Sequence, residues 1–273
     1  MRTSSTIEWR ADGITFKKDE GTGSDSGRSS GEIFVVGMGP GDLEQMSIKA
    51  FQVLSEVEVI VGYNTYVDLI EELISAEQEV ISTGMTKEID RTQLAIEAAQ
   101  EGKSVAMISS GDAGVYGMAG LVLELMAEEE LELPVEIVPG ITAANAAAAS
   151  LGAPLMHDYA VISLSDLLTP WEVILDRLEH AAAGDFVVAL YNPKSKQRQE
   201  QIVKAREIFL KHKAATTPVG IVRNAKRGNE ELVITDLESM LNEEIDMVTM
   251  VIIGNSESFS FAEWMITPRG YQV

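Results

Sequence analysis

The sequence predicts an α/β protein made of two α/β domains. Three observations carry that prediction. From residue 32 to about residue 150, short apolar runs alternate with segments whose apolar residues recur at helical spacing. Three of those runs end in glycine-containing turns. After Gly152-Ala-Pro-Leu155 the alternation starts again with a more mixed pattern. Alternating strand and helix segments imply a mainly parallel sheet covered on both faces. The expected organisation is a tail over 1–31, an N-terminal α/β domain over 32–152 and a smaller C-terminal α/β domain over 153–273.

The tail ends in a Gly/Ser-rich stretch, residues 21–31, with the composition of a flexible linker. Ile33–Val36 then reads as a buried strand and Met46–Val57 as a helix, with Ile48, Phe51 and Leu54 at helical spacing. Val59-Ile-Val61 is a second strand, followed by a helix around Tyr66–Ser75 and a strand at Glu79-Val-Ile81. Thr86–Glu101 is predicted as an amphipathic helix with Ile89, Leu94, Ala95 and Ala98 on its apolar face, stopped by Gly102. Ser104–Ser109 is a strand, Val115–Glu129 a helix, Val135–Val138 a strand and Thr142–Ser150 an alanine-rich helix.

In the second domain, Tyr159–Ser163, Phe186–Tyr191, Pro218–Val222, Glu231–Thr235 and Met247–Ile253 read as strands. Trp171–Ala183, Gln197–His212 and a short Leu237–Leu241 segment read as helices.

Composition narrows the function classes. No apolar run approaches the roughly 20 residues that span a bilayer, and the N-terminus lacks the apolar core of a signal peptide. The cytosol is the expected location. The absence of cysteine excludes disulfides, thiolate metal sites and cysteine nucleophiles. Three scattered histidines do not suggest a metal site, and none is assigned. A net charge of -22 argues against nucleic-acid binding. It is consistent either with an ordinary acidic cytosolic protein or with a surface suited to high salt.

The turns carry the chemistry. They are Gly37-Met-Gly-Pro-Gly-Asp42, Ser109-Ser-Gly-Asp-Ala-Gly-Val-Tyr-Gly117 and Pro139-Gly-Ile-Thr-Ala143. Strand ends on one edge of a parallel sheet converge on a crevice, where open α/β sheets bind ligands. The first turn is not a dinucleotide fingerprint, because Asp42 stands where the third glycine would be and would repel a pyrophosphate. No G-K-[ST] follows to make a P-loop. A nucleotide phosphate is therefore disfavoured.

On these motifs the chain resembles the tetrapyrrole methylases, over roughly Glu32 to Tyr271. The family's G-x-G-P-G-D matches Gly37–Asp42, its G-D-x-x-x-[YF]-G matches Gly111–Gly117, and its P-G-[IV]-[ST]-[AS] matches Pro139–Ala143. The stretches His157–Pro170, Tyr191–Ser195 and Val222–Glu230 most resemble the branch that methylates C17 of precorrin-3B, or of its cobalt-bearing counterpart, in cobalamin biosynthesis.

The resemblance implies an S-adenosylmethionine cleft between two α/β domains, a corrinoid-precursor substrate and a homodimer. The cofactor would meet Pro40, Ser110, Gly111, Asp112, Val115, Thr142 and Ala143, with Asn192 and Ala225 from the second domain. The family often has methionine where this chain has Asn192. Any cobalt would arrive inside the macrocycle.

A polycarboxylate macrocycle needs local positive charge on so acidic a protein. Lys194, Lys196, Arg198, Arg223, Lys226 and Arg227 flank second-domain turns expected at the cleft, and Lys87 and Arg91 are lesser candidates. The resemblance also implies that the macrocycle contracts as it is methylated, and for the proton transfers of that step His157, Asp158 and Asp42 are the candidates. Plainer readings stand beside these: Asp112 as a cap of the helix after it, Tyr116 and Met118 as core packing, His157–Asp158 as a polar hinge, and the basic clusters as solvated surface.

Overall fold

The computed structural model describes residues 6–10, 13–17 and 31–272. Within the stretch read as a tail, β1 (Thr6–Arg10) pairs antiparallel with β2 (Gly13–Lys17). Of the Gly/Ser-rich linker, residues 21–30 lie outside the described residues. Gly31 is buried and donates to the Ala99 carbonyl.

The first domain runs β3 (Glu32–Gly37), α1 (Ile48–Glu56), β4 (Val59–Tyr63), α2 (Asn64–Asp68), β5 (Glu79–Thr83), α3 (Glu88–Gln100), β6 (Ser104–Ser109), α4 (Ala119–Glu128), β7 (Val135–Val138) and α5 (Ala143–Leu151). Its five strands pair only in parallel, in the order β5-β4-β6-β3-β7. The fully buried runs Val59–Val61 and Val105–Met107 explain why these strands read as unbroken apolar segments. One apolar cluster packs α3 and α4 on one face, and another packs α1 on the other.

Ser47 caps α1 by accepting the Ala50 N–H at 3.1 Å. Three first-domain expectations need correction. Ile89 is 55% exposed; Arg91, Thr92 and Ile96 join Ala95 and Ala98 on the buried face of α3. The helix expected from Val115 begins at Ala119, because Tyr116 takes a left-handed φ of 51° that a helix cannot hold. The helix expected around Tyr66–Ser75 is the short α2 followed by a 3-10 turn at Glu71–Leu73.

The second domain continues with β8 (Gly152–Ala153), β9 (Tyr159–Ser163), α6 (Trp171–Ala183), β10 (Val187–Tyr191), α7 (Glu200–His212), β11 (Pro218–Arg223), β12 (Glu231–Asp236), β13 (Thr249–Ile253), β14 (Phe259–Phe261) and β15 (Trp264–Ile266). Its main sheet has the order β12-β11-β13-β10-β9 and is mixed as expected: β9 and β10 are parallel and the other pairs antiparallel. Helices α6 and α7 cover one face through Ile174, Leu178, Ile202 and Phe209. The alanines of α5 cover the other, against Val187, Val222 and Ile252. That helix follows the last strand of the first sheet and packs on the second, where its small side chains let helix and sheet approach closely. A small sheet, β14-β15-β8, closes the C-terminal end.

Candidate functional site

Three backbone turns meet at the C-terminal edge of the first sheet, and glycine makes the meeting possible. Gly39 (φ 81°) and Gly111 (φ 69°) exchange two backbone hydrogen bonds, at 2.7 and 3.0 Å. A β-carbon on Gly140 would lie 2.2 Å from the Gly111 carbonyl oxygen and 2.6 Å from that of Gly37. The first, second and third turns therefore touch main chain to main chain.

Asp112 ties the assembly. One carboxylate oxygen accepts the Gly114 N–H at 2.8 Å and the other accepts the Gly140 N–H at 3.0 Å. It holds two turns together and does not cap α4, which starts seven residues later.

The second domain supplies the facing wall. Thr142, at the start of α5, makes no capping bond of its own to the helix. Instead Tyr191, at the end of β10, bonds the Thr142 hydroxyl and accepts the Ala144 N–H at 3.0 Å. In the opposite direction, the Tyr116 hydroxyl accepts the Ser163 N–H at 3.0 Å and donates to the Val161 carbonyl at 3.3 Å. Those two groups belong to β9, the edge strand of its sheet. The Tyr116 and Tyr191 rings lie 5.2 Å apart. Tyr116 is 58% exposed, so it is a bridging residue and not core, whereas Met118 is buried.

A third crossing comes from the loop after β11. Arg227 Nε donates to the Pro40 carbonyl at 2.5 Å and Nη2 to the Ser110 hydroxyl at 3.3 Å. The Lys226 carbonyl accepts the Asp42 N–H at 3.2 Å.

Between these crossings lies a cleft of about 420 Å³, within the range of small-molecule sites. Pro40, Ser110, Gly111, Asp112, Val115, Thr142, Ala143, Asn192 and Ala225 all line it. So do Tyr63, Tyr66, Tyr191, Arg227, Met247 and Met250. Burial raises the hydroxyl pKa of Tyr66, against the opposing pull of Arg227. Burial likewise raises those of Tyr116 and Tyr191, against their hydrogen-bond donors. All three are thus protonated at neutral pH and can donate. Tyr63, Tyr66 and Tyr191 are lining residues that sequence reasoning did not assign to the site. The available signal was position: Tyr63 and Tyr191 each end an apolar strand on the ligand edge.

The other expected residues are dispersed. His157 and Asp158 are not at this cleft. They precede β9, whose opposite end, Ser163, bonds Tyr116, so a whole strand separates them from the site. They line a separate cavity with Asp185 and Asn255 and interact with each other: the His157 Nδ1 accepts the Asp158 N–H at 2.8 Å. Asp42 is exposed beside the first turn, outside the cleft wall. Arg223 is turned away toward Asp246 (2.8 Å), Glu231 (3.1 Å) and Glu244 (3.5 Å), which neutralise it. Lys87 pairs with Asp90, and Arg91 is 4% exposed beneath Thr83. Lys194 and Lys196 line an adjoining chamber. Among the described residues, no group of three or more His, Cys, Asp or Glu is placed to hold a metal ion, and no helix is long and apolar enough to cross a membrane.

Fold and site together define a two-domain α/β protein with a small-molecule cleft where parallel strand ends meet a second domain. Residues 32–241 match the model of the tetrapyrrole (corrin/porphyrin) methylases. The chain belongs to that family. It is 53% identical over 246 residues to a cobalt-factor III methyltransferase of Priestia megaterium, covering 89% of this chain but only 45% of that relative. It is 49% identical over 239 residues to a probable cobalt-factor III C(17)-methyltransferase of Salmonella typhimurium, covering 88% of this chain and 99% of the relative. Among solved structures, the methyltransferase CobJ matches with a TM-score of 0.83 at 37% identity, over 88% of this chain and all of that one. A Thermus thermophilus uroporphyrin-III C-methyltransferase complexed with S-adenosyl homocysteine shares the fold, with a TM-score of 0.62 at 23% identity over 82% of this chain and 97% of that one.

Proposed function

We propose that this chain transfers a methyl group from S-adenosylmethionine to C17 of a corrinoid precursor of the cobalt-factor III type, in cobalamin biosynthesis. One observation carries the reading: the nine positions that the resemblance assigns to the cofactor, Asn192 included although the family often has methionine there, all line a single cleft. The names of the Priestia and Salmonella relatives support the substrate and the carbon.

The cleft fits such a cofactor. Gly111, Ala143 and Ala225 leave main chain open to a flat ligand, while Val115, Val222 and Met250 offer apolar surface to its base. S-adenosylmethionine, when bound, supplies an electrophilic methyl group on its sulfonium, so the protein's contribution is mostly positioning. Asp112 and Tyr191 fix the turns that would hold the cofactor. Arg227 has no carboxylate partner among the described residues and presents its charge at the cleft, where an acidic substrate would meet it.

For proton transfer in ring contraction, Asp42 stays in the proposal at the rim, and Tyr66 joins it as a protonated hydroxyl inside. Family membership extends the proposal to a cytosolic homodimer, which light scattering of the purified chain tests as to assembly.

The deciding experiment is anaerobic incubation with cobalt-factor III, and separately with precorrin-3B, plus S-adenosylmethionine, followed by mass spectrometry and NMR. A single added methyl at C17 that requires the cofactor is the expected result. Methylation at another carbon, or no methylation with either substrate, overturns the reading.

A further inference from the structure

Beside the main cleft lies a second chamber of about 340 Å³, lined by Lys194, Ser195, Lys196, Ile245, Asp246, Met247 and Val248. Met247 and Val248 line both spaces, so the two share a wall. Its charge is unusual for a chain of net charge -22. Among the described residues, no carboxylate is within ion-pair distance of Lys194, Lys196 or Arg198.

Asp246 is the acidic group in the wall, and its charge is already engaged. One oxygen accepts from the Val248 N–H at 2.9 Å and the Thr249 hydroxyl at 2.8 Å, and the other accepts Arg223 Nε at 2.8 Å.

Arg198 lies behind this wall. Its backbone N–H and Nε both reach the Ser195 hydroxyl, at 3.0 and 3.4 Å, which fixes the turn before α7. Its Nη2 donates to the Met247 sulfur at 3.2 Å, and its Nη1 is buried with no acceptor. A thioether is a weak acceptor, and a buried guanidinium N–H without a partner is costly. An oxygen anion entering past Met247 would replace the weak acceptor and satisfy the empty donor together.

We propose that this chamber is a subsite for one carboxylate arm of the substrate, with Arg198 as its anchor and Lys194 and Lys196 as its charged rim. The inference rests on the tetrapyrrole reading above and adds to it the place where an acetate or propionate is recognised. Met247 is the movable side chain that separates the subsite from the main cleft.

The test is an anaerobic absorbance titration of the full chain with cobalt-factor III, with S-adenosylmethionine affinity measured by calorimetry on the same samples. Arg198→Met should weaken tetrapyrrole binding about tenfold or more, as expected for losing a charge-assisted pair. Arg198→Lys should recover most of that loss, and Lys204→Met, on the exposed face of α7, should bind as the parent chain. Cofactor affinity should be unchanged in all three. Should Arg198→Met fail to fold, Lys194→Met is the substitute, with about a threefold to tenfold loss expected. Parental tetrapyrrole affinity in folded Arg198→Met overturns the subsite and leaves the methylation reading intact. A parent chain that binds cofactor but not cobalt-factor III overturns both.

Discussion

Tyr191 and Ala144 are 47 residues apart in the chain, yet the Tyr191 hydroxyl accepts the Ala144 backbone N–H at 3.0 Å. One phenol from the second domain thus takes the place of a helix cap in the first. Tyr191→Phe leaves the Ala144 N–H and the Thr142 hydroxyl without that partner. The expected cost is about 1–2 kcal/mol of stability. S-adenosylmethionine binding should weaken too, because Thr142 and Ala143 line the cleft. Thermal melting and calorimetry read the two effects separately.

The contact of the three turns predicts a steeper penalty at Gly140. Its β-carbon would overlap the carbonyl oxygens of Gly111 and Gly37, at 2.2 and 2.6 Å, and backbone cannot move aside as a side chain can. Gly140→Ala should destabilise by about 3 kcal/mol or more, beyond ordinary overpacking. Gly120→Ala is the control, because nothing lies within 4 Å of its added carbon. It should be neutral or slightly stabilising as a helix substitution.

Asp112 uses both carboxylate oxygens on separate N–H groups. Asn in its place keeps one acceptor and turns an amide NH2 toward the other donor. Asp112→Asn should lose about 1–3 kcal/mol and loosen the second turn from the third. Hydrogen exchange at the Gly140 and Gly114 amides would show which of the two bonds is lost. Unchanged protection at both would refute the tie.

The acid limit of stability should include Asp185. Burial acts against its charge, but Lys213 and the Ser256 donors outweigh that and hold its carboxyl below the usual value. A folded pKa below the unfolded one gives stability that is complete above the unfolded value and lost as pH falls through the folded one. The Lys213 side chain is 0% exposed, and its ammonium bonds Asp185 at 2.8 Å. Asp185→Asn leaves that cation buried. At neutral pH it should cost about 2 kcal/mol, discounted because the Asp185 side chain is itself 43% exposed. The gap in melting temperature between parent and variant should narrow below about pH 4. A constant gap from neutral to acid pH would assign the loss to something other than this charge pair.

What the sequence determined by itself is local. Glycine at 37, 39, 111 and 140 states that main chain must approach main chain there. Apolar runs such as Val59–Val61 state a strand buried on both faces. These requirements are written at each position, so the α/β class, the parallel first sheet and the mixed second one were legible, and the resemblance to the tetrapyrrole methylases added the nine cleft-lining positions. The tertiary structure decided everything that depends on how one domain meets the other. By type and position Tyr116 suits a core, yet its hydroxyl bonds β9; Arg223 suits an acidic substrate, yet Asp246, Glu231 and Glu244 surround it. His157 and Asp158 follow the domain junction in sequence, but the five-residue strand after them carries the chain to the site and leaves them behind. A side chain's type fixes what it can bond to. Only packing fixes which partners come within about 3 Å, and hydrogen bonds and ion pairs are decided at that distance.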